Sequence, residues 1–311
     1  MRVTPRLCGL AYELGEYAEP VAELPELLAD AGAAAALTAP ASGFRTYHWS
    51  DVAVTELMMP AARRTLLAAE LSPSDVDLVV LATDSLPRTR AAHAVVAELL
   101  QELGLSAATA VTLGLMDCAT AMMAVGTAAS YVRDGTARQV LVLSGDVADE
   151  ATGGQRIVAG GAAIASDAAA SVLVSCDRPG LPVLAMAQQM SPQLHASLAP
   201  QRQLFARIEA HQVLFNRLQA RCGVSLAAIT RVLPSNFARN VQRMYLSEVG
   251  FTDEQLELSN VGRIAHCLGS DPLISLADQL TGGADGPDGP TVLLGSGITH
   301  LAAVLTTSRS H

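Results

Sequence analysis

Positive charge is scarce in this chain of 311 residues, and so are aromatic side chains. Lys and Arg number 20 against 30 Asp and Glu, which gives a formal net charge of −10. A nucleic-acid-binding protein needs clustered Lys and Arg to neutralise phosphates, so we expect no nucleic-acid partner. Aromatic residues make up only 4% of a chain that is 50% hydrophobic. Small aliphatic side chains must therefore fill the core.

The cysteines show no pattern of a disulfide framework or a zinc site. Their number is odd, none are spaced as CxxC, and they are Cys8, Cys118, Cys176, Cys222 and Cys267. We therefore expect no bound metal. The N-terminal segment lacks the apolar core of a signal peptide, and no uninterrupted apolar run reaches the ~18 residues of a membrane span. The sequence predicts a cytoplasmic protein that does not associate with membranes.

Short continuous apolar runs alternate with helical patterns along the chain. Such runs are typical of strands covered on both faces, and their alternation with helices predicts an α/β fold. The predicted strands cover 76–82, 140–144, 170–175, 230–233, 291–294 and 301–306. The predicted helices cover 51–70, 88–104, 118–134, 202–221, 237–249 and 270–280.

Two segments of the first half of the chain recur, in the same order, in the second half. The pattern of residues 71–80 is echoed by 224–233, and that of 140–145 by 292–297, at nearly the same separation. Either match alone has little weight, but two in the same order predict a duplicated α/β unit.

The turn at Pro179-Gly180 marks the predicted junction between the two halves. We therefore predict an N-terminal half, 1–178, that carries the nucleophile, and a C-terminal half, 179–311, that carries a catalytic histidine. The stretch 281–290 is rich in Gly, Pro and Asp, which predicts a surface loop. The Gly- and Ala-rich stretch 147–169 predicts an excursion that packs on a partner subunit.

Cys118 is the most informative residue, because it opens a helical pattern that is apolar on nearly every side. Such a helix is expected to be buried centrally. The free N–H groups at a helix start lower the pKa of a thiol and favour the thiolate, which can attack a thioester and become acylated. The alternative is structural, since free cysteines are often buried as small hydrophobic side chains.

The segment around Cys118 resembles the β-ketoacyl-ACP synthase III branch of the thiolase superfamily. The resemblance covers the chain in order and is carried by Asp117-Cys118-Ala119, 131–135, 140–146, Gly43-Phe44-Arg45, 166–170 and Gly295-Ser296-Gly297. It implies that Cys118 is the acylated nucleophile. It also implies a duplicated five-layer thiolase-type fold, with two βαβαβαββ halves related by a pseudo-twofold axis, and a homodimer.

The sequence departs from the condensing members of that family at their other two catalytic positions. Ser235 stands where they have histidine, and His266 stands where their second asparagine opens a loop. Decarboxylation requires two neutral donors aimed at an enolate oxygen, and a serine is too short to replace the histidine. We therefore expect no carbon–carbon bond formation.

The remaining set, Cys118, His266 and Asp271, resembles a non-condensing branch that moves acyl groups through a cysteine thioester. This resemblance implies an acyltransferase with a ping-pong mechanism, in specialised metabolism of the polyketide or antibiotic type. It also implies that a histidine deprotonates the acceptor, which is a hydroxyl, an amine or a second carrier protein. Two alternatives stay open. One is a β-ketoacyl-ACP synthase III that condenses a starter unit with malonyl-ACP, and the other is an inactive partner subunit.

From the sequence alone, several residues have two interpretations. His300 follows a Gly-Ser-Gly turn at a predicted strand end, where ligands gather in α/β sheets, so it competes with His266 as the base. Asp271 either orients a histidine or caps the helix that starts at Pro272. Ser235 and Asn236 are predicted to contact substrate. Asp117 is expected to point away from Cys118, because an inward carboxylate would raise the pKa of the thiol.

The donor is predicted to be an acyl carrier protein with its acyl-phosphopantetheine group, and no other cofactor is expected. In the family that this chain resembles, members that use acyl-CoA bind it with a Trp and an Arg just before the Gly-Phe-Arg turn. Residues 37–42 of this chain contain neither. Carrier proteins are acidic, so docking requires a basic patch. Arg239 and Arg243, one helical turn apart, are the predicted docking residues, with two solvated arginines as the alternative.

Overall fold

A computed structural model describes residues 3–87, 89–195, 199–281 and 289–308. Strands β1 to β13 are, in chain order, Arg6–Leu14, Tyr17–Pro20, Thr46–Trp49, Leu78–Ala82, Thr109–Leu113, Gln139–Asp146, Ile157–Val158, Ala163–Ile164, Ala168–Ser175, Leu181–Met190, Arg231–Pro234, Pro290–Ser296 and His300–Thr307. Helices α1 to α10 are Pro25–Ala29, Ala31–Leu37, Val54–Ala68, Ala92–Glu102, Thr120–Asp134, Ala148–Ala151, Pro200–Cys222, Arg239–Ser247, Asn260–Ile264 and Asp271–Thr281.

Nine strands form one mixed sheet whose order mirrors itself about the centre. The order is β11-β12-β13-β10-β1-β9-β6-β4-β5. The strands that the internal repeat relates occupy mirrored places, with β6 corresponding to β12 and β4 to β11. At the centre, β1 and β10 pair antiparallel through only Arg6–Pro182 and Leu7–Leu181. The observed topology is that of a duplicated α/β unit, as the repeat predicted.

Two helices lie between the halves of the sheet, and further helices cover its outer faces. Helix α5 contacts β4, β6 and β9 of one half and β12 and β13 of the other, and α10 likewise contacts strands of both halves. Helix α3 covers β1, β6 and β9 from outside, while α7 covers β10 and β13. The result is the predicted five-layer arrangement, with the start of α5 at the centre.

The core consists of small aliphatic side chains, as the composition requires. Along α5, Ala121, Ala124 and Ala128 are fully buried. A side chain at Gly126 would overlap the side chain of Met186 of β10, so the absence of a side chain at Gly126 leaves the space that the thioether occupies. Close packing of this kind fixes the helix start relative to the strand ends around it.

The segment 147–169 forms α6 and the hairpin of β7 and β8, and contact of this segment with a partner subunit remains a prediction. Most of the predicted loop 281–290 lies outside the described residues. The boundary between 1–178 and 179–311 also remains a prediction. No helix in the described ranges has the length and apolar composition needed to cross a membrane.

Candidate active site

Cys118 lies in a tight turn, Asp117–Ala119, that leads directly into α5. Left-handed backbone at Leu115, just before the turn, and at Asp117, its first residue, has φ of 62° and 49°. Such strain in non-glycine residues is usually kept where a side chain must be placed for function. Here it turns the chain so that the half-buried Cys118 faces the second half of the protein.

His266 faces Cys118, and its Nε2 lies 3.0 Å from Sγ of Cys118. The ring is completely buried, and the edge of Phe237 packs against it at a centroid distance of 5.2 Å. The backbone of His266 donates to Ile164 and its carbonyl accepts from Ser166. Both the backbone and the ring of His266 are therefore held in place. A base within hydrogen-bonding reach of a thiol can take the proton of that thiol.

Asp271 holds the other ring nitrogen of His266. Its Oδ2 lies 2.5 Å from Nδ1 of His266, and both side chains are fully buried. Three further donors reach the carboxylate. The backbone N–H groups of Asn236 and Cys267 lie at 2.6 and 2.7 Å, and Nδ2 of Asn236 lies at 2.9 Å. Asp271 thus orients the imidazole with Nδ1 protonated and Nε2 directed at the sulfur.

Asn236 is a positioning residue rather than a substrate contact in this arrangement. Its Nδ2 also donates to the carbonyl of Ala265, at 2.8 Å. Ala265 has φ of 52°, a left-handed conformation immediately before His266. Asn236 therefore connects the strained backbone of the histidine loop to the carboxylate that orients the ring.

The protonation of the pair is governed by burial and by mutual attraction. Burial raises the pKa of the Cys118 thiol, and the charge of His266 opposes this effect. Burial thus decides the net direction for this thiol, and a lowering effect of the helix start remains a prediction. Burial lowers the pKa of His266, but the charges of Cys118 and Asp271 outweigh it and raise the pKa to about 10. The thiolate thus depends on His266 as its counter-ion.

Cys118 and His266 open onto a cavity of about 400 Å³. One wall is formed by 151–160, which comprises the end of α6 and the β7 strand with its turn. Gly297 and Ile298, from the turn between β12 and β13, line the opposite wall. A side chain at Gly297 would overlap Cβ of Asp117, 2.2 Å away. This glycine therefore allows the turn to approach the nucleophile.

Three carboxylates, Asp84, Asp117 and Asp146, also line this cavity. Burial raises the pKa of Asp146 to about 7, although Asp84 N–H and the hydroxyls of Ser85 and Thr83 donate to Oδ1. Burial likewise raises the pKa of Asp84, and the charge of Asp117 adds to the effect. The cavity thus contains a carboxyl group, Asp146, that titrates near neutral pH.

The carboxylate of Asp117 is directed at the β12–β13 turn. It accepts from the backbone N–H and the hydroxyl of Thr299, both at 3.1 Å. It nevertheless borders the cavity, and its charge is one of the lesser influences that raise the pKa of Cys118.

His300 lies beside Asp117 rather than in the cavity of Cys118. Its Nδ1 is 2.9 Å from the hydroxyl of Thr299 and 3.9 Å from Oδ2 of Asp117. The ring lines a separate cavity together with Met123 and Arg217. The structure therefore brings His266 and Asp271 to Cys118 and does not bring His300 there.

Ser235 and Cys267 are buried and point away from the cavity. The hydroxyl of Ser235 accepts from the backbone N–H of Ser296 at 2.9 Å. Burial raises the pKa of Cys267 well above its ordinary value, and its thiol donates to the carbonyl of Ile264. The thiol next to His266 in sequence is thus unsuited to replace Cys118 as nucleophile.

The two predicted docking arginines differ in their surroundings. Arg239 is partly buried, donates to the carbonyl of Leu258 at 3.2 Å and packs over Gly43. Arg243 is half exposed and pairs with the exposed Asp253 at 3.2 Å. Only Arg243 therefore presents a readily accessible charge, and such exposed pairs are weak.

The 151–160 wall and the position of Asp146 in the cavity are functional features that the sequence patterns did not predict. Asp146 ends the predicted strand, and polar residues at strand ends are a signal of a ligand site. The wall carries no comparable signal, because its Gly- and Ala-rich sequence lacks a period. Within the part of the chain that the structure describes, no group of three or more His, Cys, Asp or Glu is arranged to hold a metal ion.

Sequence comparison relates part of this chain to curated proteins. A segment of 107 residues is 36% identical to β-ketoacyl-[acyl-carrier-protein] synthase III of Brucella anthropi. The aligned segment covers 34% of this chain and 32% of that relative. The match thus spans about a third of the length of such curated relatives. No family model matches the chain.

Structural comparison covers the whole chain. The 3-oxoacyl-(acyl carrier protein) synthase III of Pseudomonas aeruginosa superposes with a TM-score of 0.78, at 19% identity over 98% of each chain. The acyltransferase ChlB3 superposes with a TM-score of 0.79, at 20% identity over 98% of this chain and 97% of that one. At such identities the likeness shows the fold. The predicted α/β thiolase-type fold is confirmed, and so is the resemblance to synthase III.

Proposed function

We propose that this protein, a β-ketoacyl-ACP synthase III-like member of the thiolase superfamily, is an acyltransferase that holds its acyl group as a thioester on Cys118. The observation that carries the proposal is the 3.0 Å contact between Sγ of Cys118 and Nε2 of His266, with His266 held by Asp271. A thiol, an imidazole and an orienting carboxylate together are suited to nucleophilic acyl transfer.

In the first half-reaction, His266 takes the proton of Cys118 through Nε2. The thiolate attacks the carbonyl carbon of an acyl thioester, a carbon–sulfur bond forms, and the pantetheine thiolate leaves. The imidazolium returns the proton to the leaving sulfur. The raised pKa of His266 suits it to hold that proton while the buried Asp271 carries the opposing charge.

In the second half-reaction, the acceptor occupies the cavity that the donor thiol has left. Nε2 of His266 accepts the proton of a hydroxyl or amine, whose heteroatom attacks the thioester on Cys118. The new ester or amide departs, and the thiol of Cys118 is regenerated. A second carrier protein would accept the acyl group in the same way through its pantetheine thiol.

The hydrogen-bond donors near Cys118 favour transfer over condensation. Stabilising an enolate requires two neutral donors aimed at one oxygen. The hydroxyl of Ser235 accepts from the Ser296 backbone and lies away from Cys118, whereas Nδ2 of Asn236 already donates to Asp271 and Ala265. Neither residue lines the cavity of Cys118. Of these three described residues, His266 is the one that lines the cavity, and it is oriented to act as a base.

A condensing synthase III is the second candidate function. The curated relatives that match 107 residues of this chain are named β-ketoacyl-[acyl-carrier-protein] synthase III, which favours this alternative. It would require His266 to donate to an enolate oxygen without the second donor.

The proposed donor is an acyl carrier protein, and the acceptor belongs to specialised metabolism of the polyketide type. Arg243 on α8 is the more accessible of the two proposed docking residues, because its side chain is half exposed. We further propose a homodimer. The acyl-phosphopantetheine group would reach Cys118 through the cavity bordered by 151–160.

The test is to incubate the protein with an acyl-loaded carrier and to follow its mass. We expect a gain of one acyl group, absent from Cys118→Ala and retained by Cys176→Ala, whose sulfur lies beside Asp177 at the surface. Acylation that persists in Cys118→Ala would contradict the proposal. Addition of malonyl carrier distinguishes the two functions, because transfer releases no CO₂ whereas condensation releases one per turnover.

A further inference from the structure

Arg207 on α7 is a buried cation without a buried counter-charge. It is only 7% exposed. Among the described residues, no carboxylate forms an ion pair with its guanidinium, and Tyr245 is the side chain that accepts its hydrogen bond. Burying a charge costs free energy unless that charge is paired. The protein therefore keeps an arrangement that is unfavourable for its own stability.

A second, largely buried arginine, Arg156, shows how this fold pairs such a charge when the role is structural. The guanidinium of Arg156 forms a two-pronged contact with Asp167, with both distances at 3.1 Å. Asp167 in turn accepts from the backbone N–H groups of Ser50 and Ala148. Arg207 lacks any equivalent partner in the described part of the chain, so its donors are available to a ligand.

The guanidinium lies where three cavities approach one another. Arg207 lines a cavity of about 240 Å³ that shares Ala159 and Gly160 with the cavity of Cys118. It also lines a small cavity that shares Gly297 and Ile298 with the same site. A side chain at Gly160 would lie 3.9 Å from a terminal nitrogen of Arg207. The cavity that Arg207 lines thus borders the cavity of Cys118 at Ala159 and Gly160.

The neighbours of Arg207 are neutral. Nδ1 of His211 donates to the backbone carbonyl of Arg207 at 2.8 Å. Burial lowers the pKa of His211 to about 4, and the charge of Arg207 adds to this effect. Tyr245 is 6% exposed and uncharged. An anion entering this cavity would therefore meet one uncompensated positive charge and no competing carboxylate among the lining residues.

We propose that Arg207 binds an anionic oxygen group of the thioester substrate, a carboxylate or a phosphate, in the cavity beside Cys118. A planar guanidinium donates two parallel hydrogen bonds to either group, which makes arginine suited to this task. The anion has two possible sources, the far end of a dicarboxylic acyl chain or the phosphate of phosphopantetheine. This inference rests on the proposed function only in taking the ligand to be a thioester.

Equilibrium binding to Cys118→Ser tests the proposal without requiring acyl transfer. The probes are glutaryl-S-pantetheine, which carries a carboxylate, pentanoyl-S-phosphopantetheine, which carries a phosphate, and neutral pentanoyl-S-pantetheine. Calorimetric titration should show one anionic probe binding at least ~10-fold more tightly than the neutral probe, in line with charge-assisted bonds. The probe that is preferred identifies the source of the anion.

Three variants in the Cys118→Ser background separate binding from structure. Arg207→Met should bind all probes equally and melt at the same or a higher temperature, since an unpaired buried charge is removed. Arg207→Lys should keep part of the preference. Arg202→Met, at an exposed position on the same helix, should keep all of it.

Equal affinity for all three probes, including no measurable binding of any, would overturn the assignment of Arg207. So would a preference that survives Arg207→Met. Failure of the parent protein to become acylated on Cys118 is a separate observation and bears on the proposed function alone.

Discussion

Sγ of Cys118 lies 3.0 Å from Nε2 of His266, although 148 positions separate the two residues along the chain. The cysteine precedes α5 in the first half of the protein, and the histidine follows α9 in the second. Both halves must therefore be folded and packed on the central helices before the pair exists. The chemistry of this site depends on that long-range packing.

His266→Gln should abolish rapid acylation of Cys118. Glutamine can donate a hydrogen bond but cannot take the thiol proton, and loss of the imidazolium leaves burial to raise the pKa of the thiol unopposed. We expect the acylation rate at pH 7 to fall by ~10²–10⁴-fold. The measurement is the time course of mass gain with acyl carrier, together with the rate of alkylation by iodoacetamide.

His300→Gln serves as the comparison for that experiment, because its ring lines a different cavity. It should acylate within a few-fold of the parent. The reverse pattern, with loss in His300→Gln and retention in His266→Gln, would assign the base to His300.

Asn236→Ala should slow acylation by about 10-fold and destabilise the fold by ~1–3 kcal/mol, the usual range for an unsatisfied buried partner. The variant removes the Nδ2 donor to Asp271 and Ala265 but keeps the backbone N–H donor. Acylation rate and urea unfolding are measured on the same preparations. Asn240→Ala, at an exposed position on α8, should change neither. An unaltered rate in Asn236→Ala would show that it does not position the triad.

The free energy of unfolding should decline less with rising pH in Asp146→Asn than in the parent protein. Burial raises the folded-state pKa of Asp146 to about 7, above the ~3.9 of an unfolded aspartate. Between these values the folded state binds more protons than the unfolded state, so stability falls as pH increases towards 7.

Between pH 5 and 8, Asp146 should account for ~2–3 kcal/mol of that decline. Chemical denaturation of the parent and of Asp146→Asn at both pH values measures the difference. Asp51→Asn, an exposed carboxyl change, should follow the parent. Parallel pH profiles for the parent and Asp146→Asn would be inconsistent with a raised pKa at Asp146.

Gly297→Ala should displace the nucleophile turn. The added methyl would overlap Cβ of Asp117, so the turn that carries Cys118 has to shift. We expect a loss of ~1–3 kcal/mol in stability, as for other overpacked sites, and at least ~10-fold slower acylation. Gly135→Ala is the matched control, because the added methyl group would have no atom within 4 Å and would strain only the left-handed backbone of this residue. It should lose about 1–2 kcal/mol without slowing acylation.

Several elements could be predicted because their patterns are local. The run 140–144 lies within β6, and the pattern 118–134 corresponds to the Asp117–Ala119 turn and α5. In contrast, β1 and β10 were missed. Strand β1 contains Gly9, with an irregular register between Cys8 and Leu10, and β10 alternates between buried and exposed positions. Neither strand is a continuous apolar run, and their pairing at the centre joins residues that are far apart in sequence.

The sequence by itself determined the residue types and their order: a cysteine before a small-residue helix, and a histidine followed five positions later by an aspartate. These features are local and could be read without coordinates. The tertiary structure decided which groups meet. It placed His266 rather than His300 at Cys118, turned Ser235 away, and left Arg207 buried without a carboxylate partner among the described residues. Distances of a few ångströms across 148 positions depend on how two halves pack on shared helices, and no local pattern encodes that geometry.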